Sequence, residues 1–179
     1  MGCVFTGGGP PERESSSPPI ALSSPERGAL LAALASIIED LPPDSVAACV
    51  TVKGGPPAYW YSPDSLLLQA LSNGARRVTN PAGCPPTYGR MVRLVDSTGR
   101  SLSPARPDGY VDPYEVVVNG YRFTSGDNAT VAIHLSQGTR NVFYECVSRR
   151  DQADTWRAQC RKTGEGLSAF PPHRAAAAE

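Results

Sequence analysis

Residues 114–162 constrain the fold more than any other part of the chain. Four runs, 114–123, 129–135, 141–147 and 155–161, are rich in Val, Ile, Tyr, Phe, Thr and Trp. Between them stand Thr124-Ser125-Gly126-Asp127-Asn128, Ser136-Gln137-Gly138-Thr139-Arg140 and a further polar break. Runs of about six to nine β-formers divided by Gly/Asn/Asp/Ser clusters predict an antiparallel meander.

The last hairpin of that meander carries two cysteines. Val142, Tyr144 and Cys146 share one face of the outgoing strand, and Trp156, Ala158 and Cys160 share one face of the return. With Cys146 opposite Cys160, Ser148 faces Ala158, Arg150 faces Trp156, and the loop centres on Ala153. The same register sets Glu145 against Arg161, a favourable cross-strand pair, and Arg149 against Arg157, an unfavourable one unless both reach solvent. Neighbouring antiparallel strands supply the Cα separation of about 5.5 Å that a disulfide needs. Cys146–Cys160 is therefore the expected bridge, and Cys49–Cys84 follows by elimination once Cys3 is set aside. An even four bonded cysteines imply an oxidising compartment; four buried thiols would be the bland alternative.

Composition excludes several functions. Seventeen basic and seventeen acidic side chains cancel, so the excess of Lys and Arg that binds a nucleic-acid backbone is missing. No Cys-x-x-Cys pair occurs, and His134 and His173 are the only histidines, so no zinc site is expected. Gly7-Gly8-Gly9 neither follows a strand nor opens a helix, no Gly-x-Ser-x-Gly elbow is present, and no cofactor is expected. No run of 18 apolar residues offers a membrane span.

The ends read as solvated chain, 1–22 as a tether and 169–179 as a tail, around a single α+β domain at 23–168. Ser23 and Glu26 have capping-box spacing, or Ser24 caps with Pro25 at the first helical position. Leu30, Leu31, Leu34, Ile37, Ile38 and Leu41 then recur at helical period until Pro42-Pro43. Val46, Ala48, Val50 and Val52 alternate with Cys49 on the other side, as in a strand. Tyr59-Trp60-Tyr61 is expected to pack a loop on the sheet. A second helix starts at Ser62-Pro63-Asp64, carries Leu66, Leu67, Leu68 and Leu71, and stops at Asn73-Gly74. A short extended run at 77–86, a strand at 90–95 and a long surface connection at 101–113 follow. The expected architecture is α+β: two helices packed on one face of a curled antiparallel meander of about five to six strands.

Three resemblances bear on this chain. Helix, strand, helix and long meander, ending Tyr144-x-Cys146…Trp156-x-x-x-Cys160 and with Arg77-Val78-x-x-Pro81-x-x-Cys84 upstream, resemble small exported bacterial proteins of uncharacterised function. The same plan is similar to the nuclear-transport-factor-2-like and cystatin-like α+β folds. Gln137-Gly138-Thr139 does not match the cystatin inhibitory loop, so no inhibitory residue is carried over. Gly2-Cys3 before a Gly/Ser/Pro tether resembles the mature start of a bacterial lipoprotein, which implies lipid on Cys3. The Met1–Thr6 pattern also matches a myristoylation signal, with Cys3 as a second acylation site.

The readings that follow are three. The first is an exported, disulfide-stabilised binding or structural domain, either lipid-tethered in the cell envelope or secreted to the extracellular space, whose membrane contact, where it has one, is the N-terminal lipid alone. The second is a small-ligand receptor or enzyme with a pocket between helices and sheet, lined by His134, Tyr144 and Trp156. The third is a dually acylated cytosolic protein. No catalytic set can be assembled from the sequence: His134 needs an orienting carboxylate, and Asp127 is near it only along the chain. The partner is a protein or small molecule that the sequence does not name.

Overall fold

The computed structural model describes residues 19–42, 48–54, 59–72, 78–85, 108 and 110–167. Cys3, the tail 169–179, the 90–95 strand and the Asn73-Gly74 stop lie outside the described residues.

Helix α1 spans Ser24–Glu39. The Glu26 carboxylate accepts from both the backbone N–H and the hydroxyl of Ser23, at 2.8 and 2.6 Å, which selects Ser23 over Ser24 as the cap. The hydrogen bond from Ser23 holds the Glu26 carboxyl below the usual carboxylate range. Leu30, Leu34, Ile37, Ile38 and Leu41 are buried as the periodicity requires. The opposite side is less ordinary. No charged residue stands between Arg27 and Glu39, so the remaining positions hold only small or apolar side chains: Ala32 and Ser36 are half-buried, and Leu31 and Ala35, also half-buried, pack against the core. The chain before the helix also takes part: Ile20 N–H donates to the Ser62 carbonyl, and Leu22 enters the core.

Strands β1 (Ala48–Gly54), β2 (Tyr59–Tyr61) and β3 (Val78–Thr79) surround helix α2 (Ser65–Ser72) in sequence. The meander follows as β4 (Tyr114–Ser125), β5 (Asn128–Gln137), β6 (Arg140–Arg150) and β7 (Trp156–Leu167). The open sheet runs β2-β1-β4-β5-β6-β7, with β3 also paired to β1. One expectation is corrected here. The sheet is mixed, not antiparallel throughout, because β1 runs parallel to β4 and to β3. Alternation in β1 fixes which face is buried but says nothing of strand direction. The long connection between β1 and β4, with α2 in it, has the length a parallel crossover needs. The aromatic trio also differs from expectation, since it forms the edge strand β2 rather than a loop packed on the sheet.

Both helices contribute to one core on one face of the sheet. There Leu30, Leu34 and Leu67 meet Val50, Val52, Val116, Val118, Val131 and Ile133. Register shifts at Val118/Gly120 and Phe123/Ser125 interrupt the β4–β5 ladder; such bulges bend and twist a strand.

Asp64 couples the helices. Its Oδ1 accepts from the Leu67 N–H at 2.7 Å, capping α2, and its Oδ2 pairs with Arg27 at 2.7 Å. Burial pushes the Asp64 carboxyl up, but the bonds from Arg27 and the Leu67 amide outweigh it and hold it below the usual range. A carboxyl depressed by folding stabilises above its unfolded pKa of about 4 and loses that contribution as pH falls through its folded value. Asp64→Ala is accordingly expected to cost about 1 kcal/mol at pH 7, mostly from the lost cap. Urea titrations at pH 7 and pH 2.5 check this: the gap to wild type should narrow at the lower pH, and a constant gap refutes the assignment.

Candidate functional site

The β6–β7 hairpin has the predicted register. Cys146 opposes Cys160, Ser148 opposes Ala158, Arg150 opposes Trp156, and Glu145 opposes Arg161. The two cysteines are bonded, with Cα atoms 4.0 Å apart and Cys146 fully buried. Asp151 organises the turn by accepting the N–H groups of Ala153 and Thr155 on Oδ1, at 2.9 and 3.0 Å. These bonds, led by Thr155, hold its carboxyl below the usual range. Arg149 and Arg157 do face each other. Both are exposed, and Arg157 turns to the Asp151 carboxylate at 3.2 Å, which relieves the repulsion. Arg161 reaches Glu145 at 2.7 Å as expected.

The second bridge, Cys49–Cys84, lies on the other face. Cys49 is buried opposite the core side of β1, and Cys84 follows a 3-10 turn at Pro81–Gly83, with Cα atoms 5.7 Å apart. Asn80 closes that turn by accepting the Gly83 N–H at 2.9 Å.

The three pocket candidates do not share a face. Tyr144 and Trp156 lie on the helix side. Tyr144 borders the core, while Trp156 sits against Gly28 of α1 and meets Phe123 edge-on at 6.0 Å. His134 points to the opposite face, where it is buried and stacked on Phe143 at 4.7 Å. Its Nε2 stands 2.8 Å from Asn141 Oδ1. The Asn141 amide nitrogen donates to the Thr139 carbonyl, so its oxygen must face the ring, and Nε2 carries the proton. Asp127 is about 24 Å along the strand from His134, and its carboxylate lies near Arg150 instead.

Asn141 thus orients the ring through an amide. Sequence reasoning missed Asn141, although the signal was present. The two-residue Gly138–Thr139 turn sets His134 opposite Phe143, and this puts Asn141 on the diagonal of the same face. Ser136, buried, and Glu115, half-buried, oppose each other beside this pair.

Further along the same outer face the sheet is open and cationic. Arg122, Arg149, Arg157 and Arg161 surround exposed Val147 and Gln159. Arg122 and Arg149 meet no carboxylate among the described residues. Among the described residues no group of His, Cys, Asp and Glu could hold a metal, and no helix is long and apolar enough to cross a membrane. No protein-family model, no curated protein and no solved structure matches this chain.

Proposed function

We propose that this chain is an exported, disulfide-stabilised binding domain of the cell envelope, held at a membrane where Cys3 carries lipid. The observation that carries the reading is the pairing of all four domain cysteines into two bridges, one on each face of the sheet. Thiols in the reducing cytosol rarely stay bonded in this way. A binding role is favoured over an enzymatic one because the candidate side chains are not gathered in one place: Tyr144 and Trp156 lie across the sheet from His134.

Intact mass after alkylation tests the compartment. In unfolding buffer without reductant, no cysteine other than Cys3 should be alkylated, and Cys3 only in chains that carry no lipid there; with reductant Cys49, Cys84, Cys146 and Cys160 should all be alkylated. Alkylation of the four domain cysteines without reductant would overturn export and favour the dually acylated cytosolic protein.

A further inference from the structure

The sheet has a long open edge at β7, and its hydrogen-bonding capacity can be read from the hairpin. Opposed residues of an antiparallel pair alternate between exchanging two hydrogen bonds and exchanging none, and the second kind has the closer Cα atoms. Cys146 and Cys160, 4.0 Å apart, are of the close kind. The alternation then makes Asp151 and Thr155 a bonded pair, and the Asp151 N–H does donate to the Thr155 carbonyl at 2.9 Å. Arg157, Gln159 and Arg161 therefore turn their backbone groups toward β6. Trp156, Ala158, Cys160 and Lys162 turn theirs outward. The strand is paired on its β6 side alone, and no backbone partner among the described residues stands on the other.

The side chains along this edge form two rows of different character. On the helix side are Trp156, Ala158 and Cys160, all half-buried, beside the uncharged flank of α1, and at the end of the row Lys162, exposed and paired with Glu165. On the open side are Arg157, Gln159 and Arg161, all exposed, with Arg149 one strand inward. A second copy would bring the same cations against these, and the nearby Glu165 is already engaged by Arg140 and Lys162. Like charges oppose self-pairing.

We infer that β7 accepts an extended, acidic segment of a partner protein by strand addition, with apolar residues turned to α1 and alternating Asp or Glu turned to the arginines. Four outward backbone positions span about 20 Å, which a segment of about seven residues matches. Backbone bonds supply the attachment, and the apolar row is covered by the incoming strand. Arg149, which meets no carboxylate among the described residues, selects the sign of the opposing residues, together with Arg157 and Arg161, whose exposed partners Asp151 and Glu145 an incoming carboxylate would replace. This names the partner chemistry for the binding role proposed above and rests on that role, but not on the compartment. Its failure would leave the alkylation result untouched.

The test uses the full chain and a fluorescent peptide, Val-Glu-Val-Glu-Val-Glu-Val, read by anisotropy. The acidic peptide should bind, weaken as salt rises, and outcompete a Val/Lys peptide of the same length. N-methylation of one alternate set of its amides should abolish binding, and of the other set should not. Gln159→Lys should tighten binding and Gln159→Glu weaken it. Ala158→Pro removes an outward N–H that β6 does not use, and should weaken binding about tenfold. If that variant misfolds, the methylated peptides still decide. No binding, equal binding of the Lys peptide, or the same response to both methylation sets overturns the inference. So does sedimentation of the free chain as a dimer that Ala158→Pro dissociates, because the edge would then belong to a second copy.

Discussion

Replacing Cys49 and Cys84 together by Ala is expected to lower the unfolding free energy by about 4 kcal/mol, and replacing Cys146 and Cys160 by about 3 kcal/mol. The order follows from the chain each bridge closes, with sequence separations of 35 and 14. A longer closed loop removes more freedom from the unfolded chain. Local structure points the same way. Cys49–Cys84 joins β1 to a 3-10 turn whose other attachment to the sheet is the two-residue pairing of Ala48 with Val78 and Cys49 with Thr79. Cys146–Cys160 reinforces a hairpin already zipped from Arg140 to Arg150. Urea titrations of both double variants, beside wild type with and without reductant, measure the losses. Reduction separates the constraint from the packing lost when the buried Cys146 sulfur is removed. A reversed order, or a reduced wild type as stable as the oxidised one, would refute this account.

What could be read from the sequence divides along a physical line. Local signals were sufficient where both strands of a pair stood close together in the chain. The β6–β7 register followed from two alternating faces and one pair of cysteines, down to the Glu145–Arg161 ion pair. The capping of α1 by Ser23 and Glu26 was equally local. The parallel pairing of β1 with β4 was not legible, because Ala48, Val50 and Val52 would show the same alternation beside a strand of either direction. The candidate site failed in a related way. Each of His134, Tyr144 and Trp156 could be assigned to a face of its own strand, but grouping them required a common face across three strands. Counting across the Gly138–Thr139 turn puts His134 opposite Phe143, whereas Tyr144 shares the core face with Ile133. The open edge of β7 needed the whole strand order before it could be recognised at all.

The second large effect concerns the seat of α1 on that edge strand. Gly28→Leu is expected to destabilise the fold by about 3 kcal/mol, and Gly28→Ala by about 1 kcal/mol, although Ala is the better helix former by nearly that amount. A Cβ placed on Gly28 would lie 2.3 Å from Trp156 Cδ1 and 2.6 Å from its Nε1, far inside contact distance. These atoms belong to the body of the indole, and moving them would disturb the edge-on contact of Trp156 with Phe123. Neither can α1 lift away freely. The Ser148 hydroxyl donates to the Ala29 carbonyl at 2.9 Å, immediately beside the glycine. The conflict predicts a change of sign. With Trp156→Ala in place, Gly28→Ala loses its clash and keeps its helical advantage, so it should stabilise by about 0.5 to 1 kcal/mol. A double-mutant cycle by urea unfolding measures the coupling. If Gly28→Ala stabilises both backgrounds equally, the indole does not occupy the space above Gly28. The packing of α1 on β7, and with it the uncharged flank offered to an incoming strand, would then have to be redrawn.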